Sequence, residues 1–409
     1  DELQHEVITR AREFLGKTDK ALLKELSKSD IELFKEADTF YQSGEFVKAL
    51  RKLEDIQNKT STVLFNMALL FHNEIKDYKK AEEYYRRAVE KGHTNAIYNL
   101  AILYQDEYKN YQKAEKYYLM AVEKGLTEAM NNLALLYKDE YQNYKKAEKY
   151  YRMAMEKGNT NAIYNLAMLY QNEYNDFKKA EEYYRIAVGK DHTFAMHNLA
   201  LLYQIEYNDY KKAEEYLLMV VAKGDTDAMY NLALLYEDLK DIKKAEEYYL
   251  MAVEKGDINA MNNLAYLYFR QKKNKAKALA LIKESAKSEK HFVPSQTLLG
   301  LILLWNNQIE EALKIGKNLF DNEELFDKYP LKCKDYLLML MAKKQYYAAL
   351  KLFEESPFEL KEKLKPVYYD LMYFLKDDYP NEYIKMGDEL KQTVEEIIAV
   401  VRQWEKDYA

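Results

Sequence analysis

One polar residue returns at a fixed interval along most of the chain. Asn66, Asn99, Asn132, Asn165, Asn198, Asn231 and Asn263 lie 33 residues apart, except for a last step of 32. A carboxamide carries N–H donors and a carbonyl acceptor, so it can bond the N–H and the C=O of a peptide unit whatever side chain that unit bears. One such asparagine implies little. A register of them makes a ladder, and a ladder offers sequence-tolerant capture of an extended chain. The same amides could instead bond backbone of the neighbouring unit and serve the fold alone, as side-chain amides in helices commonly do.

Other chemistry is poorly served. His192 and His197 stand five apart, not at the i, i+4 spacing that brings two ligands to one helical zinc site. Gly-rich phosphate loops followed by Lys are absent from the sequence. Cys333 lies among apolar and basic residues with no nearby His, the setting of a buried structural thiol rather than a nucleophile. Acidic pairs are abundant but recur at repeated positions, whereas a catalytic pair occurs once. The pattern implies no catalytic residues, no metal and no cofactor, hence a protein that is not an enzyme.

The ladder is carried by a repeat. Lys80 to Tyr104 reads Lys-Ala-Glu-Glu-Tyr-Tyr-Arg-Arg-Ala-Val-Glu-Lys-Gly-His-Thr-Asn-Ala-Ile-Tyr-Asn-Leu-Ala-Ile-Leu-Tyr. Its first alanine returns at Ala114, Ala147, Ala180, Ala213, Ala245 and Ala278, at intervals of 33 with a single 32. A period in this range means a stacked solenoid of supersecondary units. Apolar residues fall at i, i+3, i+4 and i+7 twice per unit: Ile97, Leu100, Ala101 and Tyr104, then Ala114, Tyr117, Tyr118 and Ala121. That predicts two helices, one from Asn95 to about Glu107 and one from Tyr111 to Lys124. Gly92, Gly125, Gly158, Gly224 and Gly256 follow the second helix, where a left-handed residue ends it. Asp191 stands where one of these glycines belongs, with Gly189 two residues earlier, and predicts an altered helix end there. Thr94, Thr127, Thr160, Thr193 and Thr226 are the expected caps of the following helix. The paired tyrosines Tyr84-Tyr85, Tyr117-Tyr118, Tyr150-Tyr151, Tyr183-Tyr184 and Tyr248-Tyr249 fall at helix-contact spacing and are expected in the core.

Four blocks follow. Residues 1–29 read as an N-terminal helical cap, with Leu3, Val7, Ala11 and Phe14-Leu15 on one face. Residues 30–61 form a first helix–turn–helix, with small Ala37 and Ala49 at the helix contact and Gly44 in the turn. Residues 62–288 are the regular array. Residues 289–409 keep the helical pattern in degenerate form, with Pro366 opening one helix and a last helix from about Asn381 to Lys406 covering the end.

Composition agrees with this architecture. The 409 residues include 11 Gly and 5 Pro, too few for a turn-rich β chain, and 40 Tyr, most at repeat positions. Net charge is −6 with both signs interleaved. Nothing resembles the basic stripe that a nucleic-acid partner requires. No apolar run approaches the roughly 20 residues of a membrane span. The single cysteine cannot close an internal disulfide, which points to a reducing, cytoplasmic setting. The first residue is Asp, so a signal peptide or further domain is expected upstream.

Lys80-Ala81 through Gly92, followed by Ala96-Ile-Tyr-Asn-Leu-Ala101, resembles a Sel1-like repeat of the tetratricopeptide repeat (TPR) superfamily, over Asn66 to about Ser285. Two features differ from that family. Ala68, Ala101, Ala134, Ala167, Ala200, Ala233 and Ala265 stand where Gly is frequent, and the loop between helices is short. Both bring the units closer to plain TPR geometry. The resemblance implies an all-α, right-handed α-superhelical solenoid that binds a protein or peptide, with first helices lining a concave groove and the Asn pointing into it. Neighbouring groove positions are then Tyr98, Asn131, Tyr164, His197, Tyr230 and Asn262 before each Asn. Ile102, Leu135, Met168, Leu201, Leu234 and Tyr266 lie three after, and Gln105, Lys138, Gln171, Gln204 and Glu237 one turn further. Tyr98, Tyr164, Tyr230 and His197 join the ladder as candidate partner contacts, because an aromatic with a polar tip offers area at low entropic cost. The favoured reading is a non-catalytic scaffold. A second makes the chain the regulatory arm of a larger enzyme whose catalytic domain precedes Asp1, and a third an exported envelope protein. Oligomeric state is not legible.

Overall fold

The computed structural model describes residues 26–287, 292–320, 330–356, 364–375 and 388–408. Among them every regular element is a helix. The expected N-terminal cap lies outside the described residues up to Glu25, as does the stretch 381–387 that would begin the last helix. The chain divides into two compact units, meeting in sequence at Tyr207 and Asn208.

In the first unit the helices are α1 (Lys28–Gln42), α2 (Phe46–Asp55), α3 (Ser61–Leu69) with a π-helical turn Leu70–Ile75, α4 (Tyr78–Glu90), α5 (Thr94–Asp106), α6 (Tyr111–Glu123), α7 (Thr127–Asp139), α8 (Tyr144–Glu156), α9 (Thr160–Asn172), α10 (Phe177–Val188) and α11 (Thr193–Ile205). Consecutive helices pair, and each pair stacks on the next. The expected helix bounds hold to within a residue. The positions read as one apolar face close the core: Leu100, Ala101, Ala114 and Ala121 are each 0% exposed. Burying a leucine of this kind contributes about 2 kcal/mol, and the alanines let helix backbones approach.

The connections follow local chemistry. Between first and second helices one residue turns left-handed, as at Lys109 (φ 50°), and the next caps: Asn110 Oδ1 accepts from the Lys113 N–H at 3.1 Å. After the second helix Gly158 sits at φ 88° and its counterpart Asp191 at φ 64°. Asp191 therefore keeps the left-handed step, and the helix end is altered as expected: α10 stops one residue early, at Val188, with Gly189 at φ −61° as its C-cap. The threonines do not cap. The cap lies one residue earlier, where Asn159 Oδ1 takes the Ala162 N–H at 2.8 Å and Thr160 opens the helix. His93 and Leu126 fill that place with no side-chain cap bond.

The tyrosine pairs divide. Tyr85, Tyr118, Tyr151 and Tyr184 are buried to 1% or less. Tyr84, Tyr117 and Tyr150 are half-buried and stack on an aromatic of the first helix, as Tyr117 does on Tyr104 at 5.5 Å. Tyr104 also locks adjacent repeats. Its hydroxyl donates to Glu82 Oε1 and accepts from Arg86 Nη2 at 2.8 Å, both on the preceding second helix. Tyr170 does the same with Glu148 at 2.7 Å and Arg152 at 2.9 Å. Lys113 lies over the Tyr104 ring at 4.7 Å. Burial alone would raise the Glu82 pKa, but the Tyr104 hydroxyl and Arg86 outweigh it and hold it below the usual value.

The second unit repeats the scheme through α12 (Tyr210–Val221), α13 (Thr226–Asp238), α14 (Ile242–Glu254), α15 (Ile258–Gln271) and α16 (Lys275–Ser285). The degenerate part then forms α17 (Phe292–Trp305), α18 (Ile309–Phe320), α19 (Pro330–Ala342), α20 (Tyr346–Glu355), α21 (Lys365–Phe374) and α22 (Asp388–Asp407). Gly300 and Gly316 are required here by contact. The Tyr336 ring lies against both, where a Cβ would collide with it, and its hydroxyl donates to the Ala312 carbonyl. Pro366 sits in the first turn of α21, as expected. The end of α22 folds back within this unit: Tyr408 stacks on Phe269 at 4.8 Å, and Asp407 pairs with Lys272. Cys333 belongs to α19, and its side chain lies outside the described residues.

Candidate functional site

The ladder asparagines all sit on first helices. In the first unit Asn66 is on α3, Asn99 on α5, Asn132 on α7, Asn165 on α9 and Asn198 on α11. In the second, Asn231 is on α13 and Asn263 on α15. Asn66 is buried, at 1% exposure, and the other six are half-exposed. On α5 the half-exposed positions Asn95, Tyr98, Asn99, Ile102 and Gln105 form one stripe at helical spacing, while Ile97, Leu100, Ala101 and Tyr104 face the core. The same division holds on α7 and α9, except that Asn131 on α7 is buried.

Asn132, Asn165, Asn198 and Asn263 bond side chains of the preceding repeat. Asn132 Nδ2 donates to the Tyr98 hydroxyl at 2.9 Å, Asn165 Nδ2 to Asn131 Oδ1 at 2.9 Å, and Asn198 Nδ2 to the Tyr164 hydroxyl at 3.0 Å. In the second unit Asn263 Nδ2 donates to the Tyr230 hydroxyl at 3.0 Å. Each acceptor is the residue just before the preceding rung. Ser295 continues the series on α17, its Oγ donating to Asn262 Oδ1 at 3.3 Å. Tyr98, Tyr164 and Tyr230 are thus held in place as acceptors, each ring tilted at 6.1 Å against the buried tyrosine of its own repeat. His197 occupies the equivalent position on α11, half-exposed.

This pairing is what the sequence alone does not reveal. The two expected roles, partner contact and bond within the fold, are not exclusive, since a carboxamide with one N–H bonded keeps further bonding capacity, although Asn132 Oδ1 also accepts from Asn131 Nδ2 at 3.3 Å and Asn198 Nδ2 also meets Met168 Sδ at 3.0 Å. A signal for it is present in the chain. A polar residue precedes Asn99, Asn132, Asn165, Asn198, Asn231 and Asn263, and the acceptor lies one residue beyond a full period.

Beneath the stripe lie the buried tyrosines. Tyr184 donates to Gln171 Oε1 at 2.7 Å and Tyr249 to Glu237 Oε2 at 2.6 Å. Tyr85 pairs with His72 Nδ1 at 3.3 Å, and burial pushes the His72 imidazole down to about 4. The Tyr151 hydroxyl is buried with no partner. His192 is oriented on both sides: its Nδ1 accepts from the Ala195 N–H at 3.2 Å and its Nε2 meets Asn161 Oδ1 at 3.2 Å. Among the described residues no cluster of three His, Cys, Asp or Glu side chains could hold a metal ion. No helix among them is long and apolar enough to cross a membrane.

The Sel1 repeat family model matches residues 63–93, 94–126, 127–159, 160–192, 193–225 and 258–289. A tetratricopeptide repeat model matches 226–254. No curated protein matches the chain. Among solved structures the chain is similar to a protective antigen of uropathogenic Escherichia coli strains displaying an SLR fold. That match has 19% identity and a TM-score of 0.40, and covers 88% of this chain and 95% of that one. A Sel1 repeat protein from Oxalobacter formigenes is similar at 21% identity over 62% of this chain and 99% of that one, with a TM-score of 0.42. A tetratricopeptide repeat protein from Parabacteroides merdae matches at 19% identity over 60% and 100%, with a TM-score of 0.40. With repeat after repeat matched in register and the helices paired as that register requires, the chain belongs to the Sel1 repeat proteins of the TPR superfamily, which are typically non-catalytic and generally mediate protein–protein interactions.

Proposed function

We propose that this protein is a non-catalytic scaffold that holds an extended peptide, or an extended segment of a partner protein, against the exposed stripe of its first helices. The observation that carries the reading is the half-exposed row of amides beside a half-exposed aliphatic row, formed in the first unit by Ile102, Leu135, Met168 and Leu201. Amides supply directional bonds to a backbone, and the aliphatic row supplies area, worth roughly 25 cal/mol per Å² removed from water. The stripe carries both signs sparsely, so binding rests on shape and amide bonding rather than on net charge.

A linear peptide library displayed on phage and selected on the intact array tests this. Met168→Glu and Leu201→Glu place charge on the stripe, and Lys116→Glu and Lys149→Glu place it on exposed positions of second helices. Selected peptides are expected to lose roughly tenfold or more in affinity, about 1.4 kcal/mol, with the first pair and little with the second. Equal effects from both pairs would sink the reading.

A further inference from the structure

Two rungs of the ladder differ from the rest. Asn99 has no hydrogen-bond partner among the described residues, and Asn66 is buried with neither amide atom bonded. The cause lies one repeat earlier. The acceptor place for Asn99 is held by Phe65, which sits three residues before Ala68 as Tyr98 sits three before Ala101. The ring positions correspond: Phe65 lies tilted at 6.0 Å against the buried Tyr85, and Tyr98 at 6.1 Å against the buried Tyr118. Phe65 stacks on His93 at 4.3 Å, as Tyr164 stacks on His192 at 4.8 Å. Only the hydroxyl is missing. For Asn66 the place falls to Phe34, three before Ala37 and likewise without an acceptor. On the stripe of α5, Gln105 presents a further carbonyl that is buried and unbonded.

Leaving the buried Asn66 amide and the buried Gln105 carbonyl unbonded costs about 1–3 kcal/mol each, whereas the half-exposed Asn99 keeps its N–H groups and carbonyl for what lies on the stripe. The later rungs Asn132, Asn165 and Asn198 have spent one N–H on their neighbours. From this contrast we infer that Asn99, with Gln105 on the same stripe of α5, is the point at which the first unit grips a backbone peptide group of its ligand, while the later rungs chiefly register the repeats. This rests on the peptide-binding reading above and locates its polar anchor. The ligand N–H would donate to an amide carbonyl of Asn99 or Gln105, and its C=O would accept from Asn99 Nδ2. The residue before a rung decides the role: Tyr or Asn closes the next rung, and Phe opens it.

The probe is a linear peptide selected on the intact array, with affinity read by fluorescence anisotropy and unfolding read alongside. Asn99→Ala is expected to weaken binding about fivefold to tenfold and leave the unfolding midpoint unchanged. Asn132→Ala is expected to lower the midpoint and keep affinity within about twofold. Phe65→Tyr, which supplies the missing acceptor, should raise the midpoint and weaken binding together, a pair of changes that a purely structural Asn99 would not give. If Asn99→Ala and Phe65→Tyr leave affinity intact while Met168→Glu and Leu201→Glu still abolish it, this assignment is overturned and the scaffold reading survives. If none of these variants changes affinity, both fall.

Discussion

Replacing Tyr98 by Phe removes one oxygen atom and turns a closed rung into an open one. The bond lost is Asn132 Nδ2 to the Tyr98 hydroxyl, 2.9 Å long and linking α5 to α7. A neutral intramolecular hydrogen bond is worth about 1 kcal/mol net. Asn132 is half-exposed, so water can satisfy the freed N–H and the full penalty of a buried orphan is not incurred. The expected loss is therefore about 1 kcal/mol, and Asn132→Ala should cost somewhat more, because it deletes that bond together with the one Asn132 Oδ1 accepts from Asn131 Nδ2 at 3.3 Å. The double variant should cost little more than Asn132→Ala alone, giving a coupling energy of about 1 kcal/mol. Global denaturation of a repeat array can depart from two-state behaviour. The assay is accordingly native-state hydrogen exchange of the α5 and α7 amides in all four proteins. Protection of both helices should fall about fivefold in Tyr98→Phe, somewhat further in Asn132→Ala, and hardly beyond that in the double. Additive losses would refute the side-chain staple, since they would mean that Tyr98 and Asn132 stabilise the fold independently.

Tyr151→Phe is expected to be neutral or stabilising by up to about 1 kcal/mol, because its buried hydroxyl has no partner, whereas Tyr184→Phe removes a 2.7 Å bond to Gln171 and should destabilise by about 1 kcal/mol; urea midpoints compare them. Asp191→Gly should stabilise by about 0.5–1 kcal/mol, because glycine takes the left-handed step at φ 64° without the steric penalty of a Cβ, readable in the thermal midpoint. His72 makes stability depend on pH: its folded pKa, near 4, lies below the unfolded value near 6.5, so it is neutral in both states and costs nothing above about pH 7. Stability is then lost as pH falls through 6.5 toward 4, by about 2 kcal/mol at pH 5, and His72→Gln should remove that share of the pH dependence of the denaturation midpoint while leaving the similar share of His93, whose imidazole burial also pushes down to about 4.

Much of this fold is written in the sequence because solenoid units obey local rules. The period, the two apolar faces, the glycine after each second helix and the Asn or Asp that caps it are each set within a few residues, so Asn110, Gly158 and Ala101 can be placed without coordinates. The cap before α9 falls one position from where the sequence suggests, because Asn159 and Thr160 are both competent caps and only backbone geometry separates them. The tyrosine pairs read alike, yet Tyr117 and Tyr118 are adjacent on a helix and point about 100° apart, so one is sealed and the other stacks on Tyr104 half-exposed. The ladder is legible as a pattern. Its pairing is not, because the bond from Asn132 to Tyr98 joins residues a period and one residue apart, and a repeat read in register compares equivalent positions rather than offset ones. The exceptions at Phe65 and Phe34 acquire meaning only once the acceptor position is known.

Whether a ladder amide meets the ligand can be read by side-chain amide NMR of protein labelled with ¹⁵N at asparagine and titrated with a selected peptide. The Asn99 Nδ2 resonances are expected to shift on saturation, while those of Asn132, Asn165 and Asn198 keep the slow exchange of their N–H to the preceding repeat. A saturated complex in which no ladder amide shifts would mean that the peptide binds elsewhere than on the ladder.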